Sequence, residues 1–282
     1  MRMSEPPPHL YCIVATRAPV AVVFLREARK WWRLARWDLA SGDVDLGAWF
    51  RGTLYPRRAD LSPDGKLLSY FALKGVSTWS AVSRVPWLFA LDSWEESGTW
   101  TRGCCFVDGA PPPEERVAWR RDRYVLVGNE PLQYGIERRR GWIEHESCPP
   151  RAVNDMWDEK REVILCRARP RRTGRLILTD HGWRSNVARR IEGRQPSFAL
   201  ELRGERIELA DAAWTDWDAD GRLLVATHDG RLQIRDVDAP LLPPIERDLA
   251  GDRSPSPAPA PAWAQSWDLP GPYEVRRRRS RK

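Results

Sequence analysis

Four histidines (His9, His145, His181, His228) and five cysteines (Cys12, Cys104, Cys105, Cys148, Cys166) are the groups on which nucleophilic, acid–base or metal chemistry would have to rest. His9-x-x-Cys12 and His145-x-x-Cys148 each offer two ligands, and nothing at a suitable spacing completes a set of four. Cys12 and Cys166 stand inside strand-like runs, where a reduced thiol acts as a small apolar group. Adjacent Cys104 and Cys105 would point to opposite faces of a strand. Two acid pairs, Asp60/Asp64 and Asp216/Asp220, have the residue type that glycoside hydrolysis uses. Each pair runs into a glycine, Gly65 or Gly221, which marks it as turn chemistry repeated by the fold. There is no Gly-x-Ser-x-Gly elbow, phosphate-binding Gly loop, dinucleotide fingerprint or His-Glu-x-x-His. These residues point to no catalytic group, no metal and no cofactor, with a hydrolase on the same fold as the competing expectation.

The elements that would carry any site are read best from Ala213 to Val237. Asp220-Gly221 and Asp229-Gly230 are hairpin turns, because Gly and Asp accept the backbone angles of a short loop cheaply. Between them Leu223 to His228 alternate with period two and are largely apolar on both faces, which predicts a strand covered on both sides. The stretch Asp60-Leu61-Ser62-Pro63-Asp64-Gly65-Lys66-Leu67-Leu68 matches Asp216 to Leu224 without a gap, and looser copies begin at Ala118, Trp157 and Ala262. The gapless match predicts equivalent surroundings for Leu67 and Leu223. Asp64 and Asp220 stand 156 residues apart (220 − 64), four spacings of about 39, close to the roughly 40–45 residues of a propeller blade.

At these residues a resemblance enters. Leu61-Ser62-Pro63-Asp64-Gly65-Lys66-Leu67-Leu68 resembles the Ser-Pro-Asp-Gly-Lys hairpin of WD-repeat and TolB-like β-propellers, and Leu34–Leu39 and Ile234–Val237 resemble the end of a WD repeat. The resemblance implies an all-β fold, a β-propeller of about five four-stranded blades. It leaves activity open, since such rings host both enzymes and binding platforms.

In chain order, strands are expected at 10–16, 20–25 and 31–39. A second unit runs from Arg57 to Trp94, and a connection rich in Gly and Pro follows from Glu95 to Glu115. A third unit holds 117–119, 124–127, 133–137 and 142–146, and a fourth holds 163–167, 175–180 and 198–202 with a helix or insert at 183–195. On this reading the first unit lacks an inner strand, and the Trp263–Trp267 copy is the candidate to close the ring as a C-terminal strand. The division is then a propeller over 1–250, a Pro/Ala/Ser-rich linker over 251–262 and a Trp-containing segment with a basic tail over 263–282. The competing expectation makes Trp263–Trp267 an exposed linear motif behind a stiff spacer.

The 16 Trp suit packing between flat sheets better than a ligand cage. The net charge of +7 is misleading: Arg276, Arg277, Arg278, Arg279, Arg281 and Lys282 supply six of it, leaving +1 on the rest. Only five of the 46 basic residues are Lys, a bias that looks like codon pressure in a GC-rich, bacterial-type genome. No run approaches the ~20 apolar residues of a membrane helix, and no leader pattern opens the chain. A cytoplasmic protein without membrane contact is expected.

If the strands fall as described, the loops between second and third strands gather at one mouth. That mouth would carry Arg17, Lys74, Asn129, Glu130, Arg169, Arg171, Arg172, His228 and Asp229, a set suited to an acidic protein partner or an anionic ligand. The expected function is a non-catalytic binding or assembly platform. The basic tail offers a separate expectation, nucleic-acid association.

Overall fold

The computed structural model describes residues 8–27, 31–99, 101, 103–110, 112–128, 134–146, 162–180, 196–251 and 255–273. They are all-β, arranged as antiparallel sheets of three to five strands. The first sheet holds β1 (His9–Val14), β2 (Val20–Arg26), β3 (Trp31–Asp38) and β4 (Val44–Arg51) in that order. In the second, β5 (Thr53–Leu54) and β6 (Asp60–Leu61) share one edge of β7 (Leu67–Lys74), followed by β8 (Ser77–Arg84) and β9 (Asp92–Glu95). In the third, β10 (Cys104–Phe106) and β11 (Val117–Arg121) flank β12 (Tyr124–Gly128). A short helix, α1 (Gly135–Arg139), leads to the fourth sheet of β13 (Trp142–Glu144), β14 (Val163–Ala168), β15 (Arg175–Asp180), β16 (Ser197–Leu202) and β17 (Glu205–Glu208). The fifth is β18 (Ala212–Trp217), β19 (Leu223–Thr227), β20 (Arg231–Arg235) and β21 (Ile245–Asp248).

The sheets pack face to face because their middle strands are apolar on both sides. Val20 to Leu25 and Leu223 to Thr227 are buried without a break, the pattern of a strand with a layer on each face. Leu61 and Leu68, Leu34 and Ala35, and Trp214 and Leu224 share one cluster, so the first sheet lies between the second and the fifth. Val82, Cys104 and Leu126 join the second to the third. Leu165, Phe198, Trp217 and Leu223 join the fourth to the fifth. Trp37 and Trp217 are among the largest fully buried side chains, each removing a large rigid surface from water.

Several expectations are corrected here. The first sheet has its own first strand: β1 lies alongside β18 and β6, and the unforeseen fourth strand is β4 on the outside. The place expected for a C-terminal strand is therefore held by β1 itself, and Ala262–Gln265 forms a 3-10 turn instead. The strand expected at 133–137 is replaced by α1, whose first turn starts at Tyr134 with φ +55° and closes through Arg138 N–H to the Tyr134 carbonyl at 2.9 Å. Within the expected connection from Glu95 to Glu115 lies β10, and β13 pairs with the fourth sheet rather than the third. The insert expected at 183–195, and the start of the Trp157 copy, lie outside the described residues.

The gapless repeat holds up to the turn and fails just after it. Gly65 and Gly221 share the left-handed backbone, φ +72° and +78°, that the turn requires. Asp60 and Asp216 each accept their own following backbone N–H, at 2.9 and 2.8 Å. However, Leu61 pairs with Leu68, whereas Trp217 pairs with Leu223. The fifth-sheet hairpin is one residue tighter, and a one-residue slip moves every following side chain to the other face. Leu67 thus packs toward the sheet that follows its own, and Leu223 toward the sheet that precedes its own.

Candidate functional site

The loops expected to share one mouth divide between two ends of the sheets. Arg17 donates its backbone N–H to the Pro63 carbonyl at 2.8 Å, beside the turn that starts β7, whereas exposed Lys74 ends β7. Arg169 reaches Gly221, just before β19 begins, whereas His228 and Asp229 follow its end. The misplacement has one cause. In the first sheet the Arg17 loop joins first to second strands, and in the fourth the extra strand β13 shifts the count. Asn129, Glu130, His181 and the tail from Arg276 to Lys282 lie outside the described residues.

What the structure does bring together is Arg169, Arg171 and Arg172, with residues the motif reading missed. Arg169 follows β14, and its N–H donates to the Gly174 carbonyl at 2.9 Å, closing a tight loop. Across from it Asp218 accepts the N–H groups of Asp220 and Arg222 at 3.0 and 2.8 Å. This Asx-type turn fixes Gly221. A Cβ on Gly221 would sit 3.0 Å from the Pro170 carbonyl and 3.2 Å from Arg169 Nε, so only glycine lets the two loops meet this closely.

The Arg169 side chain is 1% exposed. Its Nε donates to the Gly221 carbonyl at 2.7 Å, and its two terminal nitrogens donate to the two Asp238 oxygens at 3.0 and 2.8 Å. The guanidinium also stands 5.4 Å from the Trp217 ring centre. A fork bonded bidentately and backed by an aromatic face is rigid, which a lysine could not reproduce. Arg172 also bonds Asp238, and Arg203 approaches it at 3.9 Å. Arg203 holds φ +54° and Gly204 φ +84°, a two-residue turn that presents Arg203 at the tip of the β16–β17 hairpin. Arg171 sits 4.0 Å from Asp220 with 80% of its side chain exposed.

Four guanidiniums therefore face Asp238 and Asp220, and exposed Asp236 stands alongside, accepting the Asp238 N–H at 3.0 Å. Three and four residues beyond Asp238 stand Leu241 and Leu242, exposed at 98% and 66%. Four residues of chain span at most ~14 Å, so this apolar pair lies within that reach of Asp238. The signals for Arg203 and Asp238 were a turn dipeptide, Arg203-Gly204, and a spaced acid pair, Asp236-x-Asp238, neither of which announces a site by itself.

The hydrogen bonds from Arg169, then Arg172, hold the Asp238 carboxyl far below the usual carboxylate range. With a folded value below the unfolded one near 3.9, the pairing is fully present above that unfolded value and is lost only as pH falls through the folded one. Carbon-13 carboxyl shifts should show Asp238 still ionised at pH 4, just where an unpaired aspartate changes charge. An Asp238 midpoint near 4 would contradict the pairing.

Charge pairs line a small space between β1, α1, β13 and β18. Arg57 meets Glu137 at 2.6 Å, Tyr11 donates to Glu137 at 3.0 Å, and Arg140 meets Asp60 at 2.7 Å. Arg167 bonds Asp216 nearby. The space left among them is about 20 Å³, room for roughly one water. Burial pushes the Cys104 and Cys105 thiols up to about 11 and about 12, which leaves them poor nucleophiles. Among the described residues no three His, Cys, Asp or Glu side chains are grouped to hold a metal ion, and no helix is long and apolar enough to cross a membrane. The chain is thus defined as an all-β protein of stacked antiparallel sheets. No family model and no curated protein matches it.

Proposed function

We propose that the five sheets are blades of a β-propeller-like platform, and that this platform docks a protein partner at the arginine corner between the fourth and fifth sheets. The convergence of β1, α1, β13 and β18 on one small central space supports the radial arrangement. The observation that carries the docking reading is the corner itself. Arg169 is immobilised by Asp238, Gly221 and Trp217, while Arg171, Arg172 and Arg203 stand more exposed beside Leu241 and Leu242. A rigid cationic rim beside an apolar pair fits an acidic segment that also carries leucine-like side chains. Exposed charges contribute modestly one by one, so the rim acts through several arginines at once and weakens with salt.

The test is fluorescence anisotropy with a labelled peptide of alternating Glu and Leu. Wild-type protein should bind it, and Arg171→Glu/Arg172→Glu should weaken binding by about 10-fold or more, with a shallower salt dependence. Identical affinities for wild type and variant would remove the corner from the function. Neither residue belongs to the core, so folding is expected to be unchanged.

A further inference from the structure

A second surface is already filled by the chain itself. Pro255, Pro257, Pro259 and Pro261 alternate with small residues, and 255–259 are exposed. After them the chain lies against the start of β7, the end of β8 and the β11–β12 turn, without joining a strand among the described residues. Its grip comes from side chains. Arg84, at the end of β8, donates one terminal nitrogen to the Leu269 carbonyl at 2.6 Å and the other to the Trp267 carbonyl at 2.8 Å. The Trp267 ring stacks on Trp119 at 6.0 Å and 25°, with the Arg121 guanidinium 4.4 Å from its centre. Ala264 is fully buried, and Trp263 folds back on the arm, meeting Tyr273 edge-on at 6.0 Å. A cavity of about 160 Å³ remains beside it.

A fork on two main-chain carbonyls with an aromatic slot is how a groove holds an extended peptide, by backbone and by anchor side chain. The residues before the arm are a Pro-rich spacer, which is semi-rigid and extended, so the arm can leave without unpairing any strand.

We propose that the trough formed by Arg84, Trp119 and Arg121 is a peptide-binding site occupied in cis, and that it accepts a Trp-x-x-x-Trp-x-Leu-Pro segment of a partner protein when the arm is displaced. The arm is both the model of the ligand and its tethered competitor. A short tether supplies an effective concentration on the order of millimolar, which masks the site against a dilute peptide.

The experiment uses the full chain and a fluorescein-labelled peptide with the sequence of residues 259–273, followed by anisotropy. Trp267→Ala weakens the arm's own grip but leaves the trough intact, so this variant should bind the peptide about 10-fold or more tighter than wild type. Adding Arg84→Ala to Trp267→Ala should abolish that binding. Should Trp267→Ala perturb folding by near-ultraviolet circular dichroism, Trp263→Ala loosens the arm from within and carries the same comparison. Equal affinity in wild type and the arm variants, or binding indifferent to Arg84, would overturn the proposal and leave the arm as ordinary packing.

Discussion

Replacing Asp60 with Ala should cost about 3–5 kcal/mol of folding stability, read from the urea midpoint. Asp60 accepts Phe106 N–H at 2.8 Å, Leu61 N–H at 2.9 Å and Arg140 at 2.7 Å, and its side chain is 2% exposed. Burial pushes its carboxyl up, against the opposing pull of Arg140 and of the two backbone N–H groups. The ion pair is thus no net source of stability when weighed against a neutral core. The loss comes from what the substitution strands: two buried N–H donors, and a guanidinium whose Nε already lacks an acceptor. Asp60→Asn keeps the shape and one acceptor, so it should fall between wild type and Ala. A loss of under about 1 kcal/mol for Ala would mean that water reaches Arg140.

Trp217→Ala should be comparably severe, about 3–5 kcal/mol, and should also abolish peptide binding at the arginine corner. The ring is fully buried between the fourth and fifth sheets, in one cluster with Leu165, Leu178 and Phe198. Its Nε1 donates to the Arg167 carbonyl at 3.3 Å, and its face backs Arg169. Removing it opens a cavity and takes the support from the arginine that holds Asp238 bidentately. Trp217→Phe should recover much of the stability and part of the binding, because it restores an aromatic face without the indole donor. Wild-type binding by a folded Trp217→Ala protein would show that Arg169 needs no aromatic backing.

Much of the all-β architecture was legible in the residues, and the reasons are local. Asp-Gly turns and two-sided apolar runs depend on neighbours in sequence, so β7, β8, β19 and β20 fall near where alternation put them. Three features depended on longer-range geometry. The one-residue tightening after Gly221 leaves no mark in a gapless alignment, yet it reverses which faces Leu223 and Leu224 present. Tyr134 in the left-handed region starts a helix where an extended segment was expected. The arginine corner was half visible: Arg169, Arg171 and Arg172 were marked by type, but Asp238, the partner of Arg169 and Arg172, lies 66 or more residues on. His228, Asp229 and Lys74 were joined to them only through an assumed strand count.

Backbone amide NMR of the full chain, titrated with the Glu/Leu peptide, tests the docking account most directly. Shifts confined to residues 169–174, 202–204, 217–222 and 236–242 are the expected result. Shifts at Lys74, His228 and Asp229, on the opposite end, or at none of these residues, would contradict it.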